Sequence, residues 1–265
     1  LYSARHYQTD EALYANFTKA TGIRINRIEA GDEQLLERLR SEGANSPADV
    51  LLIVDASRLH NAQQLGLFQP VKSALLESRI PATLRDPGGE WFGFSSRARV
   101  IVYSKARVKA ADVPSYESLA AAANKGRVCV RSGSHPYNLS LVAAMIEHLG
   151  EPKAEAWARG VVANFARAPK GGDTDQIKAV AAGECDVALS NSYYYARLLR
   201  SARVEDQEVV AKAGIVWPDQ AGFGAHVNIS GAGVLKNAPH REAAVRFLEY
   251  LASDEAQRYF ADGNN

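Results

Sequence analysis

Three consecutive tyrosines, Tyr193, Tyr194 and Tyr195, lie in the stretch ALSNSYYYARLL, residues 188–199, between a run that reads as a buried strand and one that reads as a helix. Asn, Ser and Gly are the usual residues at such a junction, so three phenols there either form an aromatic plug or bind something. Two other strand-to-helix junctions also carry phenols. ARHY closes the first strand with His6 and Tyr7, and RSGSHPYNLS enters a helix through Tyr137. Five of the eleven tyrosines therefore share one kind of position. In open α/β sheets, ligands collect beyond the carboxyl ends of strands, which makes a shared site a better reading than five separate packing roles.

Phenolate is an anionic oxygen donor, so it suits a hard, highly charged cation such as ferric iron, and one imidazole can complete the set. Calcium and magnesium sites are built mainly from carboxylates and carbonyls and gain little from phenols. A free tyrosine ionises near pH ~10. A bound cation favours the deprotonated form, and helix N-termini at Tyr137, Tyr193 and Tyr194 act in the same direction. Ionisation at neutral pH is thus expected only with metal bound. Tyr195 should differ, because the next residue along a helix turns away by about 100° and its ring then packs against its own lobe.

The elements that must position these groups alternate. LYSARHY reads as a strand, and TDEALYANFTKATG as a helix with Leu13 and Phe17 inward and Gly22 as its stop. IRINRIEA (strand), DEQLLERLRSEG (helix), ADVLLIVD (strand) and SRLHNAQQLG (helix) follow, and DVLLIVD is apolar enough for a central parallel strand buried on both faces. A second block repeats the alternation: YESLAAAANKG as helix, RVCVRS as strand, LSLVAAMIEHLG, AEAWARGVVANFA and DQIKAVAAG as helices, CDVALS as strand and YYARLLRS as helix. Two long strand-like runs, WFGFSSRARVIVYS and AHVNISGAGVLKNAP, flank this block, and the helices HREAAVRFLEYLAS and DEAQRYFA come last. The expected fold is α/β and two-lobed, with a ligand crevice between the lobes and two hinge-crossing strands near 97–104 and 215–232. Residues 1–98 and 224–265 would form the first lobe and 99–223 the second.

Several residues near these junctions carry two readings. Ser132, Gly133 and Ser134 could form a small anion nest at a helix N-terminus or simply cap it. Arg97 and Arg99 alternate along a strand, and at most one is expected to face the crevice, with a salt bridge as the alternative for either. Arg5 could offset surplus negative charge beside His6 and Tyr7, since four phenolates exceed a ferric charge by one. His60, His148, His226 and His240 show no spacing that ties them to the site. Cys129 and Cys185, the only cysteines, lie in strand-like runs and read either as buried thiols or, if the strands are neighbours, as a disulfide in an oxidising compartment.

Composition excludes several classes. The chain has 265 residues, 46% of them hydrophobic and 23% charged, and its 31 basic and 30 acidic residues leave a formal charge of +1. No Lys/Arg block resembles a nucleic-acid footprint, so nucleic acid is not an expected partner. No apolar run approaches a membrane span, and LYSARHYQTD has no signal-peptide features, so an exported protein would have lost its signal. There is no GxSxG elbow, Cys/His nucleophile pair or Walker loop, so an enzyme is not expected.

The segments YSARHYQTD, ADVLLIVDA, WFGFSSRARVIVY, RVCVRSGSHPYNLSL and GECDVALSNSYYYARL together resemble the periplasmic ferric-ion-binding proteins of bacterial iron(III) ABC transporters. The resemblance spans nearly the whole chain, and the doubled tyrosine after CDVALSN is its most specific part. It implies Tyr193 and Tyr194 as iron ligands and, for the branch with RHY near the N-terminus, His6, Tyr7 and Tyr137 as well. Another branch uses a glutamate after the ADV strand with a bound phosphate or carbonate. Here LLIVDAS offers only Asp55, so a synergistic anion such as carbonate stays an open expectation. The resemblance further implies a monomeric periplasmic binder that hands ferric ion to an inner-membrane ABC permease. A binding protein for a small oxyanion on the same fold is the alternative. Family members run several tens of residues past ADGNN, so a piece of a longer protein is expected.

Overall fold

The structure, a computed structural model, describes residues 1–5 and 10–263. In chain order its first elements are β1 (Tyr2–Ser3), α1 (Asp10–Thr21), β2 (Ile28–Glu29), α2 (Asp32–Glu42), β3 (Val50–Val54), α3 (Ala56–Gln64), α4 (Ala74–Arg79) and β4 (Phe92–Ser104). Then come β5 (Val128–Cys129), α5 (Pro136–Leu149), α6 (Glu151–Ala163), α7 (Asp173–Ala182), β6 (Val187–Asn191), α8 (Ser192–Arg200), α9 (Val204–Lys212) and β7 (Ala213–Val216). The last are β8 (Val227–Val234), α10 (Arg241–Leu251) and α11 (Asp254–Gly263). Two compact units result: Leu1–Ser96 together with the stretch from Asn228 onward, and Arg97–Val227. Among the described residues, no helix is long and apolar enough to cross a membrane.

In the first unit β1 pairs in parallel with β2 and β3, and β3 pairs antiparallel with β8. The apolar run of β3 is covered on both sides, as a period of two requires. Val50 and Leu52 join Leu13, Phe17, Phe247 and Leu251 from α1 and α10, while Leu51 and Ile53 join Leu35, Leu39 and Leu59 from α2 and α3. The strand is central, yet it is parallel on one side only, because its other neighbour belongs to the returning chain. The glycines of β8 reflect close approach rather than looseness. A Cβ on Gly231 would stand 2.6 Å from the Phe92 carbonyl oxygen.

In the second unit β6 is flanked by β5 in parallel and β4 in antiparallel pairing, and β7 pairs antiparallel with β4. One face packs Ile101, Val187 and Leu189 on Leu141, Met145 and Trp157 of α5 and α6. The other packs Val102, Cys129 and Ala188 on Ile177, Val180 and Val210 of α7 and α9. β6 runs straight into α8, whereas residues 130–135 separate β5 from α5, and the parallel pairing of Val128 and Cys129 with Val187 and Ala188 points both carboxyl ends to one edge of the sheet. Because β4 runs the opposite way, its early residues come to that same edge, and Arg99 is registered with Asn191.

YESLAAAANKG, expected as a helix, does not form an α-helix. It forms two short 3-10 turns, Glu117–Ala120 and Ala122–Asn124. Side chains take the carbonyls that a helix would use: Trp157 Nε1 donates to Tyr116 O at 2.7 Å, Asn124 Nδ2 to Ser118 O at 2.7 Å, and Asn164 Nδ2 to Leu119 O and Ala121 O at 2.9 and 2.8 Å. Tertiary hydrogen bonds here override local propensity. The strand-like runs LYSARHY, IRINRIEA and RVCVRS contract to two-residue strands among the described residues, and α4, α9 and β7 were not anticipated.

Cys129 and Cys185 are joined as a disulfide, with their Cα atoms 5.9 Å apart. Cys129 lies on β5 and Cys185 precedes β6, so adjacency of these two strands is what brings the sulfurs together. The bond closes a loop with a sequence separation of 56, for which chain entropy gives roughly 4 kcal/mol as an upper figure. Cys129→Ser is expected to lower the unfolding free energy by about 2–4 kcal/mol, measured by denaturant titration. Rapid labelling of both thiols in the native, unreduced protein would contradict the bridge.

Candidate functional site

The second unit gathers three of the phenols singled out in the sequence. Tyr137 sits in the first turn of α5, which follows β5 after residues 130–135, and Tyr193 and Tyr194 sit in the first turn of α8, which follows β6 directly. The Tyr137 and Tyr193 hydroxyls lie 3.2 Å apart, and the Tyr193 and Tyr194 rings stack with centroids at 4.2 Å and planes inclined by 30°. All three are half-buried, so their oxygens meet in a partly dry setting. His6 and Tyr7 lie outside the described residues.

Local chemistry explains why the helices start where they do. Pro136 occupies the first turn of α5, where it lacks only an amide that has no intrahelical partner anyway, and the His135 imidazole accepts from the Tyr137 N–H at 3.3 Å. His135 also packs edge-on against the Tyr137 ring at 4.4 Å. Asn191 is the N-cap of α8, but its side chain makes no capping bond because its Oδ1 accepts from Arg99 Nη1 at 3.2 Å. The first-turn amides beneath Tyr193 and Tyr194 thus lack a side-chain cap. An uncapped helix N-terminus favours negative charge nearby.

Arginines crowd the same place. The Arg97, Arg99 and Arg131 guanidinium carbons lie 5.5, 5.9 and 5.1 Å from the Tyr137 ring centre, and Arg197 lies 6.0 and 5.8 Å from those of Tyr193 and Tyr194. The expectation that only one of Arg97 and Arg99 faces the site is overturned. Residues two apart on a strand share a face, so both point toward Tyr137. Burial pushes the Tyr137 phenol above its ordinary range, and the nearby Tyr194 adds to this, while the hydrogen bond with Tyr193 and the Arg97 guanidinium pull the other way. Without a bound cation, Tyr137 is a neutral phenol at neutral pH.

Tyr195 packs within its unit, as its turn along the helix predicts. Its hydroxyl donates to Ala213 O at 3.1 Å, and burial, then the neighbouring Tyr103, raises its pKa. The Ser132–Ser134 loop is exposed. Its two hydroxyls lie 2.8 Å apart, and the Ser134 N–H donates to Ser132 Oγ at 3.3 Å, while the cap of α5 is His135 rather than either serine. Arg5, in the first unit, is 3% exposed and forms a two-pronged pair with Asp10, with Nε–Oδ2 at 3.1 Å and Nη2–Oδ1 at 2.9 Å. Its charge is matched there. Asp55 caps α3 by accepting from the Ser57 N–H and hydroxyl, at 3.1 and 2.7 Å, and from Asn228 Nδ2 at 2.8 Å.

Among the described residues, no group of three or more His, Cys, Asp or Glu side chains could hold a metal ion. Sequence reasoning missed His135 and Arg131 beside Tyr137. The motif SHPY did hold a signal for His135, since an N-cap side chain directly before proline must lie next to the first-turn tyrosine. His148 stacks on Phe223 at 4.0 Å and His240 pairs with Asp49, while His226 Nε2 lies 2.8 Å from Ser140 Oγ, one helical turn after Tyr137 on α5.

Residues 45–265 match the family model described as bacterial extracellular solute-binding protein. Iron uptake protein A2 of Synechocystis sp. is 56% identical over 267 residues, covering 100% of this chain and 76% of the relative. The structure of Trichodesmium FutA (IdiA) in complex with iron and citrate matches with a TM-score of 0.94 at 56% identity, covering 100% of this chain and 84% of that one. A ferric binding protein from Campylobacter jejuni matches with a TM-score of 0.92 at 43% identity, covering 99% and 84%. The α/β fold is accordingly that of the periplasmic solute-binding proteins, and these relatives are named for binding and uptake, not for catalysis. The chain belongs to the bacterial extracellular solute-binding protein family, in the group that holds the iron uptake and ferric-binding proteins.

Proposed function

We propose that this protein binds ferric ion as its transported ligand through the phenol oxygens of Tyr137, Tyr193 and Tyr194, with His6 and Tyr7 completing the set, and delivers it to an inner-membrane ABC permease. The observation that carries this reading is the meeting of Tyr137 and Tyr193 hydroxyls at 3.2 Å beside a stacked Tyr194, at the edge of two parallel strands. Relatives named for iron uptake and ferric binding, and a complex with iron and citrate, support it. The task is capture and release by a monomer in the periplasm, with no turnover. Arg97 and the Ser132–Ser134 loop lie beside Tyr137 as candidate partners of a companion anion such as carbonate, while Arg5 is paired with Asp10 and Arg131 with Asp173.

Adding ferric ion to the apo protein tests the reading. A phenolate bonded to an oxidising cation transfers charge in the visible, so a coloured complex is expected, whereas an oxyanion binder on this fold would stay colourless. Tyr195→Phe should leave colour and affinity within about twofold of the starting protein, because its hydroxyl is occupied by Ala213 O. A Tyr195→Phe protein that loses its colour would contradict the assignment of ligands in SYYYAR.

A further inference from the structure

We infer that Asp173 is the positioning residue of the phenol cluster, joining the two helices that carry Tyr137 and Tyr193 through one buried carboxylate. The inference rests on the ferric-binding reading above. Asp173 opens α7, and its side chain is 0% exposed. One carboxylate oxygen accepts from the Asn191 N–H at 2.7 Å, at the start of α8, and pairs with Arg99 Nη1; the other accepts from Arg131 Nη1 at 3.2 Å. Arg99 carries the connection onward, since its Nη2 donates to Asn138 Oδ1 at 2.8 Å, and Asn138 directly follows Tyr137 on α5. Asn138 closes the circuit by donating to the Arg131 and Ser132 carbonyls, each at 3.1 Å.

The result is a continuous path from the backbone of α8 through Asp173, Arg99 and Asn138 to α5, all inside the second unit. The same carboxylate fixes two of the three guanidiniums that face the Tyr137 ring, Arg99 and Arg131. An unpaired ion here would be costly, and a shared one holds both arginines in a single geometry. Asp186 bridges Arg107 and Arg127 far along the strands from the ligand edge.

Two roles for Asp173 predict different bands, which makes the inference testable. A carboxylate acting only as a negative charge both opposes phenolate formation and attracts the ferric ion, so its removal would leave the phenol oxygens in place and the visible band where it was. If it positions the helices, removing it separates the oxygens, weakens binding and displaces the band. Asp173→Asn and the neutral Asn138→Ala should each bind ferric ion about tenfold or more weakly in competition with a chelator, with a displaced visible band. Asp186→Asn, a control that costs stability without touching the path, should keep the original band. If Asp173→Asn fails to fold, Asn138→Ala carries the test alone, since it leaves no uncompensated ion. The inference is overturned if Asn138→Ala keeps the original affinity and band, if Asp173→Asn leaves the band where it was, or if Asp186→Asn displaces the band equally. A starting protein that gives no band with ferric ion would instead overturn the ferric-binding reading itself.

Discussion

Tyr193→Phe and Tyr194→Phe are each expected to weaken ferric-ion binding by about a hundredfold or more, since even outer partners of metal ligands cost 10–100-fold when removed. Each change deletes one anionic oxygen and keeps the ring, so the 4.2 Å stack that holds the pair survives. Tyr137→Phe should behave alike, and it also removes the hydroxyl that meets Tyr193. The affinity, read by competition with a chelator, should fall while the unfolding midpoint moves little. The visible band should weaken or shift, because the number of phenolates on the metal sets its intensity. A Tyr193→Phe protein with unchanged affinity and colour would remove Tyr193 from the ligand set and leave the aromatic-plug reading standing.

Acidification is the second large effect. A phenol must lose its proton to bind the ion, so each phenolate ligand makes the apparent affinity fall about tenfold per pH unit, or about a thousandfold for the three described phenols together. The direction follows from Tyr137, whose phenol is held above its ordinary range chiefly by burial. A raised pKa means that the folded apo protein favours the protonated phenol. That contribution to folding is therefore complete below the ordinary tyrosine value and is lost only as pH rises through the raised one. Ferric ion works against this preference, and protons displace it. Chelator competition between about pH 7 and pH 6 should show the steep loss, with the visible band bleaching in parallel. An affinity independent of pH across that interval would argue against phenolate ligation.

The release of metal in acid and the disulfide are separable. Cys129–Cys185 ties β5 to the start of β6, and those strands lead to Tyr137 and to Tyr193 respectively. Loss of the bridge should lower stability, as stated above, before it alters the band, because the Asp173 path still joins the two helices.

Much of the arrangement is written locally. The run LLIV in β3 is apolar at every position, and only a strand covered on both faces accommodates that, so its central place is legible without any partner. The junctions at Tyr193 and Tyr194 are legible for a similar reason, since the end of an apolar strand and the start of a helical period fall within a few residues of each other. The rotation of Tyr195 away from its neighbours follows from helix geometry alone. Even the shared face of Arg97 and Arg99 was present in a period of two.

Tertiary structure decided what depends on distant partners. Tyr137 and Tyr193 are 56 positions apart, and their hydroxyls meet because β5 and β6 pair in parallel and point their carboxyl ends to the same edge. The failure of YESLAAAANKG to become a helix came from Trp157 and Asn164, which take its carbonyls from another part of the chain. Asp173 looks, in KGGDTDQ, like an ordinary acidic residue at a helix start. Its burial between Arg99, Arg131 and Asn191 is a property of three separate segments, and a buried charge is tolerable only once all of them have been brought to it.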